Sequence, residues 1–385
     1  MNTQKRLVGL ISYNIHSDHM NYGAVLHSYA FQQHLKKLQI ESVIINYIPP
    51  IIENKNFKYP ILNHLQIWHP RNFIQNCFNW GILGFFPNLR KYKKFQRFFD
   101  IHYVKTAKKY RHNELMQLNN IENLPIDTYV CESDVTWKLY GKNEFNDVFF
   151  LNTPFAFNKT KIAYSPSIGS RPFNEDEQKR IITMTKKFKA ISCREKEGAE
   201  YLSQILHREV LWVVDPTLLM NSEDYAHLAI KPQEQHYLLV YNCMVNDIQM
   251  LKESAKLAKQ LGLIMIEISN FNINKIKFRH KVKTDIGIEE WLGYFKYADF
   301  IVCNAFHGCC FSVIFEKQFF LFQRDGSDYR MKSITDGLGL ANRLIPYYNK
   351  KIPQEFSQII YSSVNSKLTI LKEQSFSFIK NNILQ

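Results

Sequence analysis

The most informative stretch of the chain is DFIVCNAFHGCCFSVIF, residues 299–315. Residues 300–303 predict a short buried strand, residues 304–308 a turn, and residues 309–315 the first turns of a helix. A strand that ends at a glycine-containing turn and opens a helix is where α/β proteins bind anions. His307 lies in that turn, next to backbone N–H groups that carry the positive end of the helix dipole.

A second group of polar residues follows the next apolar strand, predicted over residues 319–322. Arg324 and Arg330 lie on the polar loop after this strand. Together with His307 and the helix N-terminus at Gly308, they form a cradle suited to a phosphorylated or carboxylated small molecule. The alternative is that His307 is a loop histidine beside a helix cap, and the spacing leaves both interpretations open.

Composition is that of an ordinary globular protein. The chain has 385 residues, 45% of them hydrophobic, and a net charge of +14 from 49 basic and 35 acidic residues. Part of the excess lies in the basic and aromatic residues 91–97 and 105–111. Such a region suits nucleic acid, an anionic membrane surface or an anionic substrate, or it is the solvated face of an amphipathic helix. Because no helix-turn-helix, zinc-finger or RNA-binding motif is present, no nucleic-acid partner is predicted.

The seven cysteines are scattered, odd in number and without a Cys-x-x-Cys motif. This pattern indicates free thiols in a reducing compartment. The apolar run at residues 7–12 is too short for the central region of a signal peptide. No apolar run approaches the ~18 residues of a membrane span. We therefore expect a cytoplasmic protein, with peripheral contact to the inner, anionic membrane face as a further option.

Alternating strands and helices organise the chain into two blocks. Residues 7–47 give strand, loop, helix and strand, which predicts a buried parallel sheet. An aromatic and basic stretch, about residues 50–123, breaks the alternation and predicts a helical insertion near the mouth of the first domain. A second α/β block follows, and an amphipathic helix from about Pro353 ends the chain. The prediction is an α/β protein of two Rossmann-like domains, residues 1–220 and 221–385, facing across a cleft.

Neither the Gly-x-Gly-x-x-Gly fingerprint nor the P-loop motif is present, which disfavours nicotinamide and P-loop ATP chemistry. Four further polar segments follow predicted strands, where an open parallel sheet places its ligand-binding loops. They are residues 14–23, with His16, Asp18, His19 and Asn21; Glu132, Ser133 and Asp134, with Trp137 beyond; residues 165–169; and Arg194 with Glu195.

Each of these segments also has a structural interpretation. The two histidines of the first segment are typical loop residues. Asp134 is suited to cap the following helix, but an Asp–Trp pair at a strand end also suits sugar binding, with the Trp137 ring stacking on the sugar. Arg194 suits either a surface ion pair or a fixed bidentate site for carboxylate or phosphate. Asp215 precedes a proline and is interpreted as structural, ending the first domain.

In their order and spacing, several segments resemble the polysaccharide pyruvyl transferases, and the resemblance covers roughly residues 7–345. The matching segments are NYGAVL at 21–26, Ser133 and Asp134 with Trp137, residues 164–169, ISCRE at 191–195, VVDPTLL at 213–219, ADFIV at 298–302, FHG at 306–308 and LGL at 338–340. The order of the whole set, rather than any one motif, carries the resemblance.

The resemblance implies a two-domain fold like that of GT-B glycosyltransferases, with the sugar acceptor on the first domain and the donor on the second. It also implies transfer of pyruvate from phosphoenolpyruvate to a free or lipid-linked sugar in surface polysaccharide biosynthesis, as a cyclic ketal across two hydroxyls. The family's phosphoenolpyruvate-binding arginine is similar to Arg194, and its active-site histidine to His307. Arg324 or Arg330 would be a further anion ligand, and neither a cofactor nor a metal is implied.

Two departures from the family pattern are visible. Glu132 replaces the usual Gly before Ser133 and Asp134, and Ala305 replaces the usual Thr or Ser before Phe306. The glutamate is expected to add a bulky carboxylate beside the acceptor site, which would change sugar preference or activity.

The resulting hypothesis is a metal-free transfer. The predicted arginines hold the carboxylate and phosphate of the donor, assisted by the N–H groups at Gly308. Protonation of the methylene carbon makes the neighbouring carbon electrophilic, and a sugar hydroxyl attacks it. His307 protonates the substrate or the leaving phosphate, and Asp134 activates the hydroxyl. The remaining predicted substrate-binding residues are Asn21, Ser133 and Trp137.

Two other functions stay open at this point. A nucleotide-sugar-dependent glycosyltransferase of the same architecture would bind uridine or guanosine diphosphate in its cleft. A non-catalytic scaffold of a polysaccharide assembly complex would bind its partners but release no phosphate with any sugar. The departure at Glu132 favours keeping the scaffold among the alternatives.

Overall fold

The computed structural model of the chain describes residues 6–13, 20–56, 58–63, 77–140, 144–169, 172–243, 245–271, 273–277, 280–324 and 329–384. The predictions made for His16, Asp18 and His19 lie outside these residues.

Strands of the first half of the chain form one large sheet and one small one. In chain order they are β1 (Leu7–Ile11), β2 (Glu41–Ile44), β3 (Tyr47–Ile48), β4 (Tyr110–Arg111), β5 (Ile126–Glu132), β6 (Thr160–Tyr164), β7 (Ala190–Cys193) and β8 (Leu211–Trp212). The large sheet is parallel and has the order β2-β1-β5-β6-β7-β8, while β3 pairs with β4.

The second half repeats this plan. Its strands are β9 (Tyr237–Asn242), β10 (Ile264–Ser269), β11 (Lys281–Lys283), β12 (Phe300–Cys303), β13 (Gln318–Phe322) and β14 (Leu344–Ile345). They form a parallel sheet in the order β11-β10-β9-β12-β13-β14. All six residues of β9 are buried, so this central strand is a continuous run without polar alternation.

Helices connect the strands of both sheets. In chain order they are α1 (Tyr22–Lys37), α2 (Pro50–Glu53), α3 (Phe85–His102), α4 (His112–Leu115), α5 (Glu175–Thr185), α6 (Lys196–Leu206), α7 (Ser222–Ala226), α8 (Ile248–Leu261), α9 (Asn274–Lys277), α10 (Ile288–Tyr297), α11 (Phe306–Ile314), α12 (Tyr329–Leu338) and α13 (Tyr361–Ile379). Short 3₁₀ turns lie at Pro60–Asn63, Pro154–Ala156, Pro216–Leu219 and Ala341–Arg343, and π turns at Cys77–Ile82 and Lys380–Leu384. Asn21 begins α1, since its side chain accepts the N–H of Gly23 at 2.9 Å.

Each sheet has a switch point, where the direction in which new strands are added reverses. In the first sheet this point lies between β1 and β5, and in the second between β9 and β12. Open α/β sheets bind ligands in the crevice outside the carboxyl ends of the strands at such points. The predicted α/β architecture of two Rossmann-like sheets with helical connections is thus confirmed, and it identifies where a ligand site belongs.

One continuous apolar core joins the two sheets. Tyr22 of α1 stacks on Trp291 of α10, with ring centroids 5.3 Å apart, and donates its hydroxyl to the carbonyl of Ile286. The predicted boundary at residue 220 falls between the last strand of the first sheet and the first strand of the second. Because aromatic side chains cross this boundary, the two sheets hold a fixed relation on either side of the cleft.

The insertion after β3 is helical at its centre, as predicted. Helix α3 packs Phe95, Phe98 and Phe99 inward, and its Lys94 pairs with Glu290 of α10 at 2.7 Å. Within the described residues, no helix is both long enough and apolar enough to cross a bilayer. All seven cysteines belong to the described part of the chain and are free thiols.

Two predicted helix bounds differ from the structure. Helix α11 begins at Phe306 instead of residue 309, so His307 belongs to its first turn. The C-terminal helix begins at Tyr361, later than the predicted Pro353, and it crosses to the first sheet. There the hydroxyl of Ser375 accepts the Val214 N–H at 3.0 Å, and the Phe378 ring lies 6.1 Å from that of Tyr164.

The packing of α13 predicts a large effect of truncating Phe378, which is 3% exposed, and a small effect of truncating Ile370, which is 65% exposed on the same helix. Phe378→Ala should lower the free energy of unfolding by about 3–5 kcal/mol, since it leaves a cavity against the first sheet. Ile370→Ala should change it by less than about 0.5 kcal/mol. Urea unfolding followed by circular dichroism measures both. Equal midpoints for the two variants would contradict the packing of α13 on the first sheet.

Candidate active site

The side chains predicted to form a site come together at the carboxyl ends of strands from both sheets. Asp134 follows β5, Arg194 follows β7 and Asp215 follows β8, all in the first sheet. His307 follows β12 of the second sheet. Because β5 and β12 each flank a switch point, these residues lie where the two crevices face each other.

Asp215 is the centre of this cluster, and its side chain is fully buried. Its Oδ2 atom accepts hydrogen bonds from Arg194 Nη1 at 3.0 Å and from the Ser133 hydroxyl at 2.9 Å. The same oxygen lies 3.5 Å from His307 Nε2, and Oδ1 accepts the Thr217 hydroxyl at 2.7 Å. Burial alone would raise the pKa of Asp215, but His307 and Arg194 hold it well below its ordinary value. Asp215 thus also ties the residues after β5 and β7 to His307, a contact that its interpretation as the end of the first domain did not include.

The His307 imidazole is clamped between the two sheets. On one side it lies against Gly23 in the first turn of α1, where an added Cβ would stand 1.9 Å from His307 Nδ1. On another side its ring stacks on that of His27, with centroids 6.1 Å apart and an interplanar angle of 20°. Burial lowers the pKa of His307, and this outweighs the opposing effect of Asp215. A neutral imidazole able to accept a proton therefore stands at the junction of the sheets.

Arg194 lies beneath the wall of the cleft. Its side chain is 1% exposed, and the guanidinium lies over the Phe306 ring with its central carbon 4.6 Å from the centroid. The Nη1 atom bonds Asp215, whereas Nη2 stands 3.8 Å from Asp134 and neither Nη2 nor Nε has a hydrogen-bond partner. The structure thus places this arginine behind Phe306, where it fixes the two carboxylates instead of facing the cleft as predicted.

Ser133 and Asp134 form a strained turn after β5. Their φ angles are +39° and +58°, a region that non-glycine residues rarely adopt. The loop after β6 holds them in place, since the Ser133 N–H donates to the carbonyl of Tyr164 at 2.8 Å and the Ser167 N–H to that of Asp134 at 2.7 Å. Ser133, predicted to bind substrate, is fully buried, and its hydroxyl donates to Asp215 instead of facing the cleft.

The prediction that Trp137 stacks on a sugar is also wrong. The ring is fully buried, lies parallel to Phe150 with centroids 4.8 Å apart, and donates its Nε1–H to the carbonyl of Phe149. A tryptophan five residues after a strand end can lie either in the core or in the cleft, and the sequence alone does not separate these two positions. In this structure the Trp137 ring belongs to a second hydrophobic core, which packs against the first sheet.

A cleft of about 480 Å³ opens above the cluster. Five residues predicted from the sequence line it, namely Asn21, Asp134, His307, Arg324 and Arg330. Two further cations in the wall were missed: Lys138, whose Nζ lies 4.9 Å from the centroid of the Tyr140 ring, and Lys350, paired with Asp247 at 2.6 Å. The cleft therefore presents several cations together with two carboxylates, those of Asp134 and of Asp247, and the second is already paired with Lys350. This excess of cations suits a ligand of more than one negative charge.

Gly308 allows α11 to pack closely on the end of β12. A Cβ at this position would come within 2.9 Å of Cys303 Cβ. The N-cap residue, Ala305, has no side chain that could cap the helix. The Cys309 N–H donates to the carbonyl of Ala305 and makes the first backbone hydrogen bond of the helix. The N–H groups of the first turn therefore point toward the cleft end of the helix, in line with the predicted anion site.

Glu132 does not extend into the cleft as expected. Its carboxylate is fully buried, faces α1, and accepts hydrogen bonds from His27 Nδ1 at 2.9 Å and from the Ser28 hydroxyl. His27 was missed because it lies inside the buried face of α1, among apolar positions, and no local motif marks it. The sequence feature that points to His27 is the unusual carboxylate at position 132, because a carboxylate buried in a sheet requires a hydrogen-bond donor.

Two parallel α/β sheets that meet at their switch points define a two-domain protein of the GT-B fold. A protein described as UDP-N-acetylglucosamine 2-epimerase from Listeria monocytogenes superimposes with a TM-score of 0.50, at 10% identity, over 98% of this chain and 90% of that one. Similar matches are S. aureus MnaA with UDP (TM-score 0.47, 11% identity, 98% and 91% covered) and Arabidopsis thaliana UGT89C1 with UDP-L-rhamnose (0.47, 12%, 98% and 95%).

Sequence comparison gives the family. The family model described as polysaccharide pyruvyl transferase matches residues 21–326, which is most of the chain. The chain belongs to the polysaccharide pyruvyl transferase family, as the resemblance indicated. A comparison with curated proteins gives no significant match.

The position of Asp215 predicts that neutralising it costs stability. Asp215→Asn removes the charge that pairs with the buried Arg194, and the free energy of unfolding should fall by about 3 kcal/mol or more. The matched control is Asp285→Asn, which breaks the exposed pair with Arg90, where the side chains are 32% and 56% exposed; it should cost less than about 1 kcal/mol. Thermal and urea unfolding measure both. If the two variants lose the same stability, Asp215 is not the buried anchor of the cluster.

Proposed function

We propose that this member of the family transfers pyruvate from phosphoenolpyruvate to two hydroxyls of an acceptor sugar, forming a cyclic ketal and releasing phosphate. The observation that carries the proposal is the convergence of His307 from the second sheet with Asp134 of the first, at one cation-rich cleft. We assign this reaction to cytoplasmic surface polysaccharide biosynthesis, as in capsule or exopolysaccharide assembly.

Charge supports phosphoenolpyruvate as the donor. The molecule carries a carboxylate and a phosphate, so its site needs at least two fixed cations in a sheltered cleft. Arg324 and Arg330 line the cleft from the second sheet, and Lys138 lines it from the first. In this proposal they contact the donor directly, together with the N–H groups at the start of α11, while Arg194 acts from below by fixing Asp134 and Asp215.

The reaction balances without a cofactor. The first hydroxyl oxygen adds to C2 of phosphoenolpyruvate, and its proton ends on the C3 methylene, which becomes a methyl group. The C2–O bond to phosphate then breaks, with the electron pair leaving on phosphate. The second hydroxyl oxygen adds to C2, and its proton ends on the phosphate. Two hydroxyl protons are thus released and two are consumed.

His307 is suited to carry these protons. Because burial lowers its pKa, the imidazole is neutral near pH 7 and accepts a proton from an attacking hydroxyl before passing it on. Asp134 has the opposite character: burial would raise its pKa, but the nearby His27 and the charge of Arg194 hold it well below the ordinary value. In this proposal Asp134 stays ionised and accepts hydrogen bonds from the sugar hydroxyls. It does not remove a hydroxyl proton, which is the role that the sequence predicts for it.

The outer face of α3 is the surface proposed to contact anionic lipid when a lipid-linked acceptor approaches the cleft. Arg90, Lys93 and Arg97 are exposed on this face, together with Phe86, which is 67% exposed. Lys91 departs from the predicted outward pattern, since it is buried over the Tyr22 ring. Contact of the exposed face with anionic lipid stays a prediction.

Turnover tests the donor and the anion site together. The wild-type protein, incubated with phosphoenolpyruvate and lipid-linked or nucleotide-linked sugars, should release phosphate and add one pyruvyl ketal to the sugar by mass. Arg324→Ala and Arg330→Ala should each reduce kcat/KM by ~10²-fold, mainly through KM for the donor. Arg6→Ala, at an exposed position before the amino end of β1, should leave the rate unchanged. Phosphate release that is independent of both cleft arginines would remove them from the donor site.

The alternatives give different results in the same experiment. Saturable binding of uridine diphosphate, with transfer of its sugar and no phosphate release from phosphoenolpyruvate, would identify a glycosyltransferase. No turnover with any sugar, but retained binding of other assembly proteins, would identify a scaffold.

The state of His307 predicts the pH dependence. Since its pKa is lowered, kcat/KM should stay level as the pH falls from about 8 and decline only below the ordinary histidine value of about 6.5. His307→Ala should lose ~10²-fold or more of the rate and remove that acid limb. His227→Ala, at an exposed position, is the control and should keep the profile. A limb at or above pH ~6.5 would exclude a neutral, buried His307 as the proton carrier.

A further inference from the structure

A second histidine lies directly behind the cleft and is not assigned any role by the family comparison. His27 belongs to the second turn of α1, and its side chain is fully buried. Its two ring nitrogens face two carboxylates: Nδ1 stands 2.9 Å from Glu132 Oε2, and Nε2 stands 3.7 Å from Asp134 Oδ2. One imidazole therefore lies between the first and last residues of the segment Glu132-Ser133-Asp134.

Glu132 is committed to this contact. Its carboxylate is fully buried, and its two oxygens accept hydrogen bonds from His27 and from the hydroxyl of Ser28. Both donors come from adjacent residues of α1, so the helix presents a ready-made site for one carboxylate. Burial raises the pKa of the Glu132 carboxyl, while His27 and the Ser28 hydroxyl act against that rise. In its ionised form the carboxylate directs its negative charge at the imidazole ring.

The groups around His27 favour its charged form. Glu132 and Asp134 flank the ring, Asp215 lies nearby in the same cluster, and the ring that stacks on it belongs to the neutral His307. Burial by itself would lower the pKa of His27, but the carboxylates raise it to about 10. Among the described residues the Nε2 atom has no hydrogen-bond partner, and Asp134 Oδ2, at 3.7 Å, is the carboxylate oxygen that approaches it.

We infer that His27 is a positioning residue: Glu132 holds it as an imidazolium whose Nε2–H faces Asp134, and this keeps Asp134 ionised and oriented toward the sugar hydroxyls. Arg194 approaches the other oxygen of Asp134 at 3.8 Å, so the carboxylate lies between two buried cations. His27 gains and loses no proton during turnover, and it touches no reacting atom. The inference rests on the proposed function only for its effect on rate, since the charge state of His27 is a property of the free protein.

The charge of His27 can be measured without substrate. In wild-type protein with ¹⁵N-labelled histidine, the His27 ring, assigned by loss of its signals in His27→Gln, should show two protonated nitrogens at pH ~8, well above the ordinary pKa of about 6.5. In Glu132→Gln the shape of the side chain is kept but the charge is removed. The same ring should then titrate in the neutral range. A wild-type His27 that is already neutral at pH ~7 would overturn the inference.

The pH profile of turnover tests the consequence for Asp134. Glu132→Gln should lower kcat by roughly 10- to 100-fold and add a new alkaline limb, because His27 then loses its proton as the pH rises through neutrality. His27→Gln should lower kcat to a similar extent but without the new limb, since no titrating group remains. A merely structural role would reduce the amount of folded protein and leave the shape of the profile unchanged, which would count against the inference.

A matched control exists in the second sheet. Glu267 is also fully buried and pairs with a histidine, His280 Nε2, at 2.7 Å. Glu267→Gln removes an equivalent buried Glu–His pair but should leave the shape of the pH profile as in wild type. If the wild-type protein transfers no pyruvate, the proposed function fails. The titration of His27 then still supports or overturns the charged pair by itself.

Discussion

The shared carboxylate of Asp215 is the constraint on which the rest of the site depends. One of its oxygens contacts Arg194 and Ser133 of the first sheet and His307 of the second. A fully buried carboxylate is costly unless several donors satisfy it, so the two sheets must approach closely enough to supply them. This requirement is met in part by His307 of the second sheet, whose Nε2 lies 3.5 Å from the carboxylate. Aromatic packing between α1 and α10 then holds the two sheets together over a larger area.

Two imidazoles stack at the base of the cleft, and their surroundings drive their charges apart. His27 has a carboxylate at each nitrogen, and its pKa rises. Burial lowers the pKa of His307. Asp215 acts against this, but Arg194 pairs with the same carboxylate. Groups with separated pKa values can divide the work of a reaction between a proton carrier and a fixed charge. In the reaction we propose, His307 moves protons, and Asp134, held by His27 and Arg194, stays an anion.

Much of the frame was predictable, because strand ends in a parallel sheet meet at one edge whatever the details of packing. That rule placed Asp134 and Arg194 at the ligand-binding edge of the first sheet and His307 at that of the second. The family resemblance then brought the three residues into one site. The rule did not say which side chains face the cleft. Trp137 entered the core below the sheet, and Glu132 turned toward α1, because partners distant in sequence, such as Phe150 and His27, decide those orientations. The crossing of α13 to the first sheet likewise depends on tertiary contacts that no local pattern marks.

The turn at Ser133 and Asp134 shows what the structure retains at a conformational cost. Both residues have positive φ angles, which cost of order 1 kcal/mol or more for residues with a Cβ. Glycine would relieve this strain at either position. It would also remove the hydroxyl that bonds Asp215 and the carboxylate that faces the cleft. Backbone bonds to the loop after β6 offset part of the cost but do not require these two side chains. The strain is therefore best explained by the contacts of the side chains themselves, and for Asp134 those contacts are two buried cations and the open cleft.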